Sequence, residues 1–151
     1  MPCDDTVLPA TSALIERGRL VTIRPLTLVV LKESYAICSM DPAAALPDIP
    51  SSEFSCLTRT PEELSLVCPE ALAPQPARVD REWAGLRVDG PLDFSQVGLL
   101  TSLTTPLASA GIVVFVVSTY DTDYLFLKRA SLDRATHVLT TAGHVVRGNP
   151  T

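Results

Sequence analysis

The residues able to do chemistry are few, and their spacing is wrong for catalysis. The 151-residue chain has two histidines and four cysteines. His137 falls beside the apolar stripe of an expected helix, and His144 opens an expected strand. Neither has a nucleophile or an acid at motif spacing, and no HExxH, GxSxG or P-loop pattern occurs. The cysteines Cys3, Cys38, Cys56 and Cys68 are 35, 18 and 12 residues apart. That spacing contains no CxxC pair and no zinc pattern. Cys38, Cys56 and Cys68 sit among apolar neighbours, where a thiol acts as a small hydrophobe; a Cys56–Cys68 bridge stays open. The expectation is a protein that is not an enzyme and carries no cofactor or metal. Asp93 and Asp121 read first as local structure, a helix cap and a hairpin-turn residue. Gly90 before Pro91 is turn chemistry.

The elements that would position these residues follow from periodicity. Ala13–Arg17 is expected as a short helix ended by Gly18. Leu26–Leu31 and Tyr35–Met40 are expected as two strands around a tight turn at Lys32–Ser34, with a helix over 33–40 as the competing reading. Residues 41–50 carry three prolines, so a helix there is one turn at most. Phe54–Thr58 and Glu63–Cys68 form a hairpin, residues 69–80 a connector, and Leu86–Asp89 a strand. Ser95–Ala110 is the best helix, with Val97, Leu100, Leu103, Leu107 and Ala110 as its stripe. Asp93 and Gln96 read as its capping box, Pro106 as a kink or break, and Gly111 as its end. Gly98 inside that helix costs about 1 kcal/mol against alanine and needs a reason. Ile112–Thr119 has the composition of a fully buried strand. Asp121-Thr122 turn the chain into Tyr124–Lys128. Ser131 caps a second helix with Leu132, Ala135, Val138, Leu139 and Ala142 as its stripe. Gly143 stops it, and His144–Val146 is the last strand. Residues 84–146 thus read β-α-β-β-α-β, the ferredoxin-like order with a four-stranded sheet and two helices on one face. Trp83, the single tryptophan, is expected as a core or interface anchor. Acylphosphatases share this order but need an arginine in their phosphate loop, and Gly90–Ser95 has none.

Bulk properties narrow the class. Hydrophobic residues make up 46% and charged residues 19%, which excludes wholesale disorder. A net charge of −5 and 5% aromatics argue against nucleic-acid binding. The longest apolar run, Ile112–Val117, is far short of a membrane span. The acidic start of the chain has no signal-peptide character, so the expected location is cytoplasmic, with no membrane partner. The halves echo each other at an offset of 60. Leu57–Val67 lies over Val117–Leu127, with Glu63 over Asp123, and Leu26–Leu28 lies over Leu86–Val88. The first half would be a degenerate copy, with a proline-rich connector in place of its second helix.

Three stretches carry a family resemblance. They are Phe54–Glu70, Gly90–Leu100, and Ile112–Leu127 with its Ser118-Thr119-Tyr120-Asp121-Thr122-Asp123-Tyr124 core. Over residues 20–146 the chain resembles the small bacterial tandem-ACT proteins, related to the ACT modules of CASTOR-type arginine sensors and, more distantly, of aspartate kinases. The resemblance implies an α+β protein of two ferredoxin-like (βαββαβ) ACT units in tandem. The expected division is a leader at 1–19, a degenerate ACT-like unit at 20–82, an ACT unit at 83–147 and a tail at 148–151. It implies an amino-acid-binding regulator that forms a homodimer and holds a free amino acid at an interface between units; a scaffold with a vestigial pocket is the alternative, and a protein target is a further expected partner.

The ligand contacts that the resemblance implies are Gly90, Leu92, Asp93, Phe94, Ser95 and Gly98, with Ser118, Thr119, Tyr120, Asp121 and Asp123. Pro91 after Gly90 matches the small tandem branch rather than the enzyme-attached modules. The chemistry is plausible independently. An amino acid needs an anion site and a cation site a few ångströms apart. Free N–H groups at the helix start near Phe94–Gly98 can hold a carboxylate, and Asp121 or Asp123 can hold an ammonium. Gly90 and Gly98 would let the backbone approach closely.

Overall fold

The computed structural model describes residues 13–16, 19–22, 24–75, 78–92 and 97–148. Nine strands and two helices follow in chain order among these residues. β1 (Ala13–Glu16) and β2 (Arg19–Thr22) pair antiparallel, so the short helix expected at 13–17 is a strand of a hairpin. The long strand β3 (Thr27–Met40) replaces the two strands expected on either side of Lys32–Ser34. Neither the tight turn nor the competing helix forms. Lys32-Glu33 offers none of the positive-φ residues that a two-residue hairpin turn demands. The polar interruption is absorbed instead as a register shift against the neighbouring strand between Val30 and Ser34.

β4 (Cys56–Arg59) and β5 (Leu64–Pro69) form the expected hairpin. β6 (Arg78–Val88) starts eight residues before the strand expected at Leu86 and takes over the end of the connector. α1 (Leu99–Ser109), β7 (Phe115–Ser118), β8 (Asp123–Lys128), α2 (Leu132–Thr141) and β9 (Val145–Arg147) complete the chain. The main sheet runs β4-β5-β3-β6-β8-β7, with β9 joined to β3. The β-α-β-β-α-β order of the second half is as expected, and β8 splits β6 from β7 as that order requires. One feature departs from a self-contained four-stranded sheet. β9 pairs in parallel with Thr27–Val29 of β3, so a first-half strand lies between β6 and β9.

Both helices cover one sheet face. Leu103 and Leu107 of α1 and Leu132, Ala135 and Leu139 of α2 pack on Leu28, Val30, Leu86, Val88, Leu125 and Leu127. On the opposite face, Phe54 closes a second core over Tyr35, Trp83, Phe126 and Leu31. Trp83 is thus a core residue, with the Lys128 ammonium 4.6 Å from its ring centre. Gly85 lies between these residues. A Cβ there would come within 2.7 Å of Leu31 Cδ1 and 3.0 Å of Phe126 Cε1. Gly85→Ala is therefore expected to destabilise by about 1–3 kcal/mol through overpacking, read as a lower denaturation midpoint; an unchanged midpoint would contradict this packing. Ile112–Thr119 is corrected in a different sense. Its strand is the outer strand β7 (Phe115–Ser118), with Phe115 37% and the preceding Val113 74% exposed. Composition cannot tell an interior strand from an edge strand whose cover lies elsewhere. The cysteines Cys38, Cys56 and Cys68 are free, so no Cys56–Cys68 bridge forms. Burial pushes the Cys68 thiol up to about 12, which keeps it protonated and inert.

The helix ends follow local chemistry closely. Gly111 and Gly143 carry positive φ. Ile112 N–H bonds Leu107 C=O and Gly111 N–H bonds Ala108 C=O, each at 2.9 Å; His144 and Gly143 repeat the pattern on Leu139 and Thr140. Both are Schellman ends. Ser131 is the N-cap residue of α2, but its hydroxyl makes no capping bond. α1 continues through Pro106 without a break. Proline has no N–H for the carbonyl four residues back, which is Ser102. His144 Nε2 lies 3.2 Å from that oxygen, and Leu26 N–H donates to His144 Nδ1 at 3.2 Å. Nδ1 therefore accepts and Nε2 donates, so the buried ring is neutral. It ties α1 to the start of β3 at the point the proline leaves open.

The echo between the halves is real in its hydrogen bonding but its offset is 59, not 60. Thr60 N–H donates to Glu63 C=O at 2.9 Å, and Thr119 N–H donates to Thr122 C=O at 2.8 Å. Cys56 pairs Val67 in one hairpin, as Phe115 pairs Phe126 in the other. The error of one residue has a physical origin. The inner strands β5 and β8 bury consecutive residues on both faces, so alternation gives little register signal there, while a one-residue slip exchanges the faces. In the corrected register Leu64, fully buried, stands where Asp123 stands, and Glu63 is no counterpart of Asp123.

Candidate functional site

A cavity of about 300 Å³ lies between the start of α1 and the β7–β8 turn. Gly98 sets the first wall. Its φ of 85° is left-handed, and it is the N-cap residue of α1. This supplies the reason that a glycine at this position needs. It also corrects the helix start from Ser95 to Leu99. Val97, 80% exposed, lies outside the stripe, and the expected Asp93/Gln96 capping box lies outside the described residues. A glycine cap has no side chain to accept from the first-turn N–H groups. Leu99, Leu100 and Thr101 thus face the cavity with the electropositive end of an 11-residue helix.

The turn builds the second wall. Thr119 holds it twice, through its N–H and its hydroxyl, the latter donating to Thr122 C=O at 2.9 Å. The Thr122 hydroxyl donates to Val88 C=O at 2.5 Å, fixing the turn to the end of β6. Leu92 N–H donates to Asp121 C=O at 2.8 Å. Gly90 belongs to this seam. A Cβ there would lie 3.1 Å from Asp121 O and 3.2 Å from Leu92 N. The Ser118 hydroxyl donates to Asp123 Oδ1 at 2.5 Å, which orients that carboxylate.

Of the expected contacts, Leu92, Gly98, Ser118, Thr119, Tyr120, Asp121 and Asp123 line one cavity. Gly90 does not line it but supports the turn from behind. Asp93, Phe94 and Ser95 lie outside the described residues. Sequence reasoning missed Leu99, Leu100, Thr101 and Thr122. The signal for the first three was Gly98 itself, since a left-handed cap would have moved the helix start. The cavity lining has two carboxylates and no cationic side chain, histidine or cysteine among the described residues. Those residues also hold no group of three or more His, Cys, Asp or Glu placed for a metal. No helix among them is long and apolar enough to cross a membrane. Chemically, the two walls offer anionic acceptors on one side and backbone donors on the other, with Leu92, Leu99 and Leu100 as apolar contacts.

Comparison with known proteins gives a consistent result. The family model described as ACT domain matches residues 78–141, and a second model, described as an N-terminal domain, matches residues 33–76. The chain is 31% identical over 102 residues to the human protein CASTOR3P, a match that covers 59% of this chain and 63% of that one. The chain therefore spans less than two thirds of the length of that curated relative. The crystal structure of protein Atu0741 from Agrobacterium tumefaciens is 33% identical, with a TM-score of 0.78 over 85% of this chain and 98% of that chain. The regulatory subunit of aspartate kinase from Thermus flavus has a TM-score of 0.56 at 10% identity, over 79% and 99% of the two chains. That last likeness is one of fold.

Proposed function

Residues 78–141 match the ACT-domain model, and from that premise we propose that the chain is a non-catalytic regulatory module holding a free amino acid between α1 and the β7–β8 turn. One observation carries the reading. Asp121 and Asp123 share a cavity of about 300 Å³ with the start of α1, whose cap residue Gly98 supplies no side chain. An α-amino acid presents an ammonium and a carboxylate on adjacent atoms. The ammonium would donate a charge-assisted bond to an aspartate carboxylate. The carboxylate would sit on the N–H groups of Leu99–Thr101. Asp123 is the better ammonium partner, because Ser118 already orients it. The volume is at the small end of ligand sites, which suits an amino acid.

The reading keeps the division into a degenerate unit at 20–82 and an ACT unit at 83–147, meeting along β3 and β6. The cavity opens outward, so a second copy of the chain in a cytoplasmic homodimer would complete it. Ligand binding is coupled to assembly only if the amino acid favours one arrangement of units. The scaffold reading has one observation in its favour, the exposure of Val97 beside the site.

The test is melting temperature against each of the twenty amino acids at millimolar concentration. A ligand at about 100 times its Kd adds roughly 2.7 kcal/mol, a shift of several degrees for this size. In Asp123→Ala the shift is expected to vanish while the fold is kept. Silence across the panel favours the scaffold, and an undiminished shift in Asp123→Ala removes that residue from the site.

A further inference from the structure

The two hairpins differ in what occupies the space beside their turns. At the 59-residue offset set by Thr60 and Thr119, the counterpart of Ser118 is Arg59. Ser118 lines the open cavity. The Arg59 guanidinium instead crosses to the segment that follows β3, donating from Nη1 to Pro42 C=O and from Nη2 to Ala44 C=O at 2.8 Å. That segment stands to β3 as α1 stands to β6. It is a closed turn: Ala44 N–H bonds Asp41 C=O at 2.9 Å, and Ala43 N–H bonds Asp41 Oδ1 at 2.8 Å.

The polarity of the two places is opposite. In the second half, donors of a helix start face carboxylates across a gap. In the first half the facing segment presents carbonyls, and a cation of the chain itself already spans to them. Leu64, buried, also replaces Asp123 there, so no carboxylate is available at that position for an ammonium. We propose that Arg59 closes the first-half counterpart of the cavity, so that each chain takes up one ligand, in the second half only. The ligand count rests on the amino-acid reading above; the closure rests on the geometry of Arg59.

Two measurements separate these parts. Arg59 is exposed, so Arg59→Ser should fold, and Arg59→Lys provides a control that keeps the charge but not the fork. Amide exchange at Ala43 and Ala44 is expected to quicken by about tenfold or more in Arg59→Ser, with α1 unchanged. Unchanged exchange at Ala43 and Ala44 overturns the closure. Calorimetric titration then uses whichever of the twenty amino acids raises the melting temperature. One ligand per wild-type chain is expected, with Arg59→Ser within about twofold of the wild-type Kd and Ser118→Arg weaker by about tenfold or more. Two ligands per wild-type chain overturns the single-site proposal. Silence of the whole panel alongside quickened exchange overturns the amino-acid reading and supports the closure.

Discussion

Replacing His144 with leucine is expected to cost about 2–5 kcal/mol, because it strands two buried polar groups rather than one. Leu26 N–H loses its acceptor, and the Ser102 carbonyl loses the donor that stands in for the missing N–H of Pro106. His144 is 4% exposed, so water cannot readily replace either partner. Burial also pulls its pKa below the ordinary value of 6.5, although the Ser102 carbonyl opposes this. The neutral ring accepts at Nδ1; a proton there would face the Leu26 N–H. Above about pH 6.5 the ring is neutral in both folded and unfolded chains and adds no pH dependence. Below that, the unfolded chain takes the proton first, so stability falls with pH until the folded ring also titrates. The slope from this one group approaches at most about 1.4 kcal/mol per pH unit.

The carboxylate Glu70 follows the opposite chemistry in a lower window. The Ser34 hydroxyl leads the causes that hold it below its ordinary 4.5, so its contribution is present above that value and is lost only in stronger acid. The His144 effect is therefore separable. Urea midpoints between about pH 7.5 and about pH 5.5 should fall for the wild-type chain and fall less for His144→Leu. Equal slopes in the two chains would show that His144 is not the group that titrates.

Phe126→Ala is expected to cost about 3–5 kcal/mol, and the loss should come from the sheet face without helices. Phe126 is fully buried on β8, with ring centres 5.2 Å from Tyr35 and 5.1 Å from Phe54. Phe54 is the main residue of residues 41–55 that reaches this core, so the cavity left behind would loosen that segment as well. On one side the space is bordered by Gly85, which has no side chain to move into it, and by Leu31, already packed close to that glycine. Chemical denaturation should give the loss directly. Retention of most of the stability would mean that residues 41–55 repack over the gap. The second reading is amide exchange, which should quicken near Phe54 more than in α2, whose buried residues belong to the other core.

The candidate site was legible in the sequence to an uneven degree. Ser118–Asp123 could be placed because a hairpin turn is a local object, set by Thr119, Asp121 and Thr122 within a few residues of one another. The helix start could not be placed by the same means. The Asp-x-x-Gln pattern pointed to a cap at Asp93, whereas the cap of α1 is the left-handed Gly98, five residues later. That shift moves the donor groups from Phe94–Gly98 to Leu99–Thr101. Gly90 shows the other kind of error. Its freedom serves close packing against Asp121 rather than a ligand surface.

Periodicity and cap chemistry were enough to establish the element order of the second half, the stops at Gly111 and Gly143 and the stripe of α2, while the likeness of three stretches to ACT modules pointed to the ACT domain at 78–141. These rest on interactions between residues near each other in sequence, or on motifs that carry their context with them. Strand partners rest on neither. β3 runs unbroken because β6 and β5 share its length, β9 lies against β3 rather than β6, and an apolar β7 is left at the edge. Strands buried on both faces look alike in sequence whichever neighbour they take. Long-range pairing and packing choose among them, and the same packing makes Arg59 a bridge where Ser118 leaves a cavity.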